Sequence, residues 1–151
     1  MTRKEQAIAN FKTGYNCAQA VFLTFCDLTG FDEKTALRLA APFGGGFGRQ
    51  REVCGAVSGM CMVLGVLYGY EGATDTDAKA THYKAVQEIC AEFRTRVGSI
   101  ICRDLLSEDG KSTAHTPSLR TEAYYKKRPC AELVGEAADI VDAYIQSHPL
   151  A

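Results

Sequence analysis

Four cysteines, Cys17, Cys54, Cys102 and Cys130, each stand where the sequence predicts the start of a helix. A thiol there faces unpaired N–H groups and the positive end of the helix dipole, which lower its pKa and favour an anionic sulfur. Two chemistries use such thiolates: ligation of an iron–sulfur cluster or other metal, and reversible disulfide exchange. Cys54 is the sharpest case. It follows the glycine-rich stretch Phe43-Gly44-Gly45-Gly46-Phe47-Gly48 and opens Cys54-Gly55-Ala56-Val57-Ser58-Gly59. Glycine lets a backbone approach a bound group closely, so Gly45, Gly46, Gly48 and Gly55 are candidate cofactor-binding positions. Cys54 is expected to have a lowered pKa and to alkylate faster than Cys26 or Cys90, whose buried mid-helix positions predict raised values.

Seven cysteines in 151 residues is an odd and high count. Cys26, Cys61 and Cys90 lie within predicted helices on or beside apolar stripes, where packing is the simpler role. Cys61 is two helical turns after Cys54 on the same face, within reach of the same pocket. The alternative for the whole set is a helical binding or scaffold protein whose cysteines only pack. No CxxC occurs, which argues against a zinc ribbon or a thioredoxin-type site. The glycine stretch lacks the Lys-Ser/Thr of a phosphate-binding loop and is not preceded by a strand. His82, His115 and His148 are scattered and read as surface or packing residues. Arg49 and Arg51 either support a thiolate or an anion, or belong to a solvated loop.

The elements that must position these residues are all helical. Apolar spacing and caps predict helices over 2–12, 17–28, 33–40, from near Glu52 to Tyr68, 76–97, a short one at Cys102, one around 121–127, and 129–146. No strand pattern or repeat is present. The fold class is therefore all-α: an irregular bundle of about five to seven helices, residues 1–151 forming one domain. Gly55, Gly59 and Ala56 make a small-residue surface on which another helix can pack closely.

Composition narrows the classes. With 46% hydrophobic and 23% charged residues and a net charge of −1, the chain is an ordinary globular one. Nothing points to a nucleic-acid partner. The first residues, MTRKEQAIANFKTG, lack the apolar core of a secretory signal, and the uncharged run Val53 to Tyr70 is rich in glycine. A cytoplasmic protein with no membrane span is expected.

The residues above resemble the C_GCAxxG_C_C family of redox-active proteins. Cys17 in Gly14-Tyr15-Asn16-Cys17, the Cys54–Gly59 motif with its preceding glycines, Cys102 in Ile101-Cys102-Arg103-Asp104-Leu105, and Cys130 match the family's four cysteines in order. The likeness spans about Gly14 to Tyr144 and leaves Cys26, Cys61 and Cys90 outside the pattern. It implies redox activity at Cys17, Cys54, Cys102 and Cys130, as metal or cluster ligands or as dithiol pairs. The implied partner is an electron-transfer or thiol-redox partner. Its identity, the substrate and homodimerisation are left open.

Overall fold

The computed structural model describes residues 1–150, without the side chain of Lys127. Helix α1 (Arg3–Thr13) is opened by a capping box: Thr2 Oγ1 accepts from the Glu5 N–H, and the Glu5 carboxylate accepts from the Thr2 N–H. Asn16 and Gln19 open α2 (Cys17–Thr24) in the same way. The sequence predicts that this helix continues to Leu28. Instead it breaks at Phe25 (φ −109°, ψ 16°), and α3 (Cys26–Thr29) is a separate turn. The Thr24 hydroxyl donates to the Ala20 carbonyl at 2.7 Å, a back-bond that bends helices.

Asp32 caps α4 (Glu33–Ala40) by accepting from the Thr35 N–H. After a tight turn, α5 (Gly44–Phe47) contains most of the glycine stretch. α6 (Gly55–Tyr68) begins later than the expected start near Glu52. The reason is tertiary: Val53 forms an antiparallel bridge with Ile101, which keeps residues 52–54 extended. Asp75 caps α7 (Thr76–Val97), and Gly98 ends it with φ 103°. α8 (Cys102–Leu105), α9 (Glu122–Lys127) and α10 (Cys130–Ser147) complete the chain. Six of these helices have eight residues or more, and among the described residues there is no strand or sheet beyond the single bridge. The fold is all-α. No described helix is long and apolar enough to cross a membrane.

Helix α2 packs against α1, α4, α6 and α10. Phe11, Phe22, Phe25, Met60, Phe93 and Val134 are fully buried in the core. Each such side chain stabilises the fold by about 1.5–3 kcal/mol. Arg96 joins α7 to Glu136 and Asp139 of α10 at 2.9 and 2.7 Å, and Lys4 of α1 reaches Glu136 at 2.8 Å. Partly exposed pairs of this kind contribute roughly 0.2–1 kcal/mol each, so apolar burial dominates.

The α2–α6 contact admits no side chain at two positions. A Cβ on Gly55 would lie 2.8 Å from the Phe43 carbonyl oxygen and 3.1 Å from Cys17 Cβ. One turn on, a Cβ on Gly59 would lie 2.8 Å from the Ala18 carbonyl oxygen and 2.9 Å from Val21 Cβ. Both neighbours belong to packed α2, so they cannot give way cheaply. Gly59→Ala should therefore lower the melting temperature despite alanine's better helix propensity, and Gly59→Val should lower it further. The expected loss for valine is about 1–3 kcal/mol. Thermal melts of both variants beside wild type check this, and a stabilised Gly59→Ala protein would contradict the packing account.

Candidate functional site

Cys17, Cys54, Cys102 and Cys130 all line one cavity of about 280 Å³. Gly45, Gly46, Gly48 and Gly55 line it too. Each cysteine is delivered by a local device. Asn16 caps α2 through its Oδ1 and ties that helix start to the Ala41 carbonyl at 3.0 Å through Nδ2, placing Cys17 in the first turn. Cys54 is the N-cap of α6, one position earlier than a first-turn residue. Its N–H donates to the Ile100 carbonyl at 2.8 Å, and the Cys102 N–H donates to the Glu52 carbonyl at 2.6 Å. This two-stranded register sets Cys102 alongside Cys54. Pro129 caps α10 and puts Cys130 in its first turn.

The glycine stretch forms the cavity wall by an unusual backbone path. Gly45, Gly46, Phe47, Gly48 and Arg49 have consecutive φ values between 61° and 70°, and Arg51 follows at 62°. Runs of left-handed residues are rare because Cβ crowds the following carbonyl, and each non-glycine in that region costs roughly 1–3 kcal/mol. The turn is closed by the Arg51 N–H on the Gly45 carbonyl and the Glu52 N–H on the Gly46 carbonyl, both at 3.1 Å. Gly46 is needed twice over: its φ is 67°, and a Cβ there would lie 2.8 Å from Cys102 Cβ. The path aims Arg51 inward, where it is 4% exposed. A solvated loop, one of the two sequence-based readings of this stretch, does not describe Arg51.

The thiols differ in proton affinity, and not in the expected order. Burial pushes Cys54 up to about 12, although the Ala56 and Val57 N–H groups donate to its sulfur. Desolvation outweighs the helix start there, so the expected lowered pKa of Cys54 is corrected. Burial likewise raises Cys102, partly offset by Arg51 Nη1 at 3.8 Å from its sulfur. Cys17 and Cys130 share a hydrogen bond. Cys130 is lowered to about 7, first by that bond and then, against burial, by Arg128, Arg120 and Arg51. Cys17 is raised, chiefly because it donates to Cys130 and because it is desolvated. Of the two, Cys130 is the sulfur that ionises more readily, favoured by the Cys17 hydrogen bond first and by the flanking arginines after it.

A second thiol pair lies outside this cavity. Cys61 of α6 hydrogen-bonds Cys90 of α7, raising Cys61 and lowering Cys90 to about 7. The expected raised value for Cys90 is therefore wrong: a partner thiol, with Arg94 assisting, overrides burial. Cys61 faces α7 and is not among the cavity residues. Cys26 is raised by burial, as expected.

Further cavity residues carried little signal in the sequence. Arg120 stacks on Phe11 at 4.2 Å and Tyr124 at 5.0 Å, while Arg128 covers the other ring contact of Tyr124 at 4.8 Å. Arg120 also donates to the Phe11 and Tyr15 carbonyls at 3.0 Å each. His115 lies at the cavity rim. His115 lies between Cys102 and the helix predicted around 121–127, Arg120 just before that helix and Arg128 just after it, with no motif to single them out.

Four thiols have the soft-donor chemistry a metal or cluster needs. Among the described residues, however, no three Cys, His, Asp or Glu side chains stand together so as to hold a metal ion. All seven cysteines are free thiols. In this arrangement the four sulfurs are not gathered into one ligand set.

An all-α fold with four cysteines converging on one cavity defines a cysteine-based class of helical protein. The chain matches the family described as "Putative redox-active protein (C_GCAxxG_C_C)" over residues 15–144, and it belongs to that family. No curated protein and no solved structure matches it.

Cys54 and Cys130 are comparably buried, 3% and 7% exposed, and line the same cavity. Their thiolate fractions should therefore decide their reactivity. In reduced protein at pH 7.5, Cys130 should alkylate at least about tenfold faster than Cys54, with a rate that inflects near pH 7. Replacing its hydrogen-bond donor, Cys17→Ala, should move the inflection upward. Peptide mass spectrometry after timed iodoacetamide pulses across pH reports both. Faster labelling of Cys54 would overturn the assignment.

Proposed function

We propose that the protein is a thiol-redox protein whose working pair is Cys17 and Cys130. What supports this is the meeting of two hydrogen-bonded cysteines, Cys17 raised and Cys130 lowered to about 7, inside a cavity lined by arginines. A thiolate near neutral pKa beside a protonated partner is the arrangement that favours exchange with a disulfide. In the forward direction the Cys130 thiolate attacks one sulfur of a donor disulfide. A mixed disulfide forms and one thiolate leaves, taking a proton from solvent. Cys17 then gives its proton to the second leaving group as its sulfur attacks that of Cys130. Two protein thiols become one disulfide, and the donor disulfide becomes two thiols. The reverse reaction reduces the protein pair.

Cys54 and Cys102 stay protonated at neutral pH beside this pair. They are the candidates for a second, slower exchange that passes oxidising equivalents on to a thiol-redox partner.

The test is titration of reduced protein with hydroxyethyl disulfide, followed by acid quenching and peptide mapping. The first cross-link to appear should join Cys17 to Cys130, and Cys17→Ala should trap the mixed disulfide on Cys130. Cross-links that begin at Cys54 or Cys102 would count against the pair. Stoichiometric iron or zinc in protein purified without oxygen would replace this reading with the ligand one.

A further inference from the structure

The charge balance of the cavity is one-sided. Arg49, Arg51, Arg120, Arg128 and His115 line it, and among the described residues no aspartate or glutamate does. Of the four cavity thiols only Cys130 is lowered toward neutrality, so the thiols offset little of this positive charge. Three of the guanidiniums are already engaged: Arg120 by backbone carbonyls and aromatic faces, Arg49 Nε by the Ala114 carbonyl at 2.7 Å, and Arg128 by Ser118 Oγ at 3.4 Å through one nitrogen and by the Tyr124 ring. Arg51 differs. Its Nε donates to the Ser112 carbonyl at 3.0 Å and its Nη1 approaches Cys102, but its Nη2 is buried with no hydrogen-bond partner. An arginine 4% exposed with an unused donor is costly unless something else accepts it. The strained left-handed path from Gly45 to Arg51 holds that donor inside the cavity.

We infer that this cavity is a binding site for a small oxyanion, a carboxylate or an inorganic ion, received by Arg51 Nη2 with Arg128 beside it. The planar guanidinium fork suits two oxygens of one such group. A volume of about 280 Å³ sits at the low end of ligand pockets and suits a small ion better than a nucleotide or a large cofactor. The crowding of cations agrees: Arg49 is held below its ordinary value by burial and then by Arg51 and Arg128. The inference extends the thiol-redox reading by naming the class of molecule that the Cys130 thiolate meets. Binding itself requires no electron transfer, so it is tested separately.

The experiment uses reduced full-length protein at constant ionic strength, titrated with sodium sulfate, phosphate or malonate against sodium chloride. Calorimetry gives the affinity, and the Cys130 alkylation rate serves as a second readout. At least one of the three anions should bind stoichiometrically and slow Cys130 alkylation severalfold, while chloride does neither. Malonate binding alone points to a carboxylate ligand, and sulfate or phosphate alone to an inorganic one. Arg51→Gln should weaken binding tenfold or more. Arg51→Lys, which keeps the charge but loses the fork, should recover part of it. If Arg51→Gln fails to fold by far-ultraviolet circular dichroism, Arg128→Gln takes its place with a loss of severalfold. Absence of binding by all three anions, or undiminished binding in the arginine variants, overturns the site. Binding that persists in Cys17→Ala protein keeps the anion site even if the disulfide chemistry fails.

Discussion

The close approach of α6 to α2 is the constraint on which the rest of this structure depends. Gly55 and Gly59 have no room for even a methyl group against the Phe43 and Ala18 carbonyls. Their absence of side chains brings the start of α6 onto the start of α2, and so brings Cys54 to Cys17. Everything downstream uses that meeting point. The left-handed turn packs over it, the bridge between Val53 and Ile101 adds Cys102, and α10, packed on both α1 and α2, delivers Cys130. The two motif glycines give up helix propensity of about 1 kcal/mol each, and what they gain is convergence of residues far apart in the chain.

Electrostatics then divides four chemically identical side chains into different roles. All four sit at or near helix starts, so the dipole cannot distinguish them. Desolvation raises Cys54 and Cys102, while a hydrogen bond and flanking guanidiniums lower Cys130. The deciding magnitude is the competition between these terms. Two backbone N–H donors at Cys54 do not offset full burial, whereas a thiol donor plus nearby cations at Cys130 does. Cys61 and Cys90 repeat the same physics on a smaller scale, with one partner thiol and Arg94. Two sites in one small fold thus hold thiols in pairs, one inside a cationic cavity and one between α6 and α7.

The sequence by itself determined the helical class, most helix limits and the four cysteines that meet. Those features are local: Asn16, Asp32 and Asp75 cap where cap chemistry predicts, and Gly14, Gly30 and Gly98 stop helices where only glycine relaxes. The glycines of the Cys54 motif also signalled close packing before any partner helix was known. What only the tertiary structure decided depends on neighbours distant in the chain. The late start of α6 follows from a bridge to Ile101, and at the break before Phe25 the Thr24 carbonyl is taken by Arg3 of α1 at 2.9 Å. The exchange of expected reactivity between Cys54 and Cys90 follows from burial in one case and a partner thiol in the other. Arg120 and Arg128, just before and just after the helix predicted around 121–127, reach the cavity with no motif to mark them. Proton affinity is set by the sum of desolvation and nearby charge, and both terms exist only once the chain has folded.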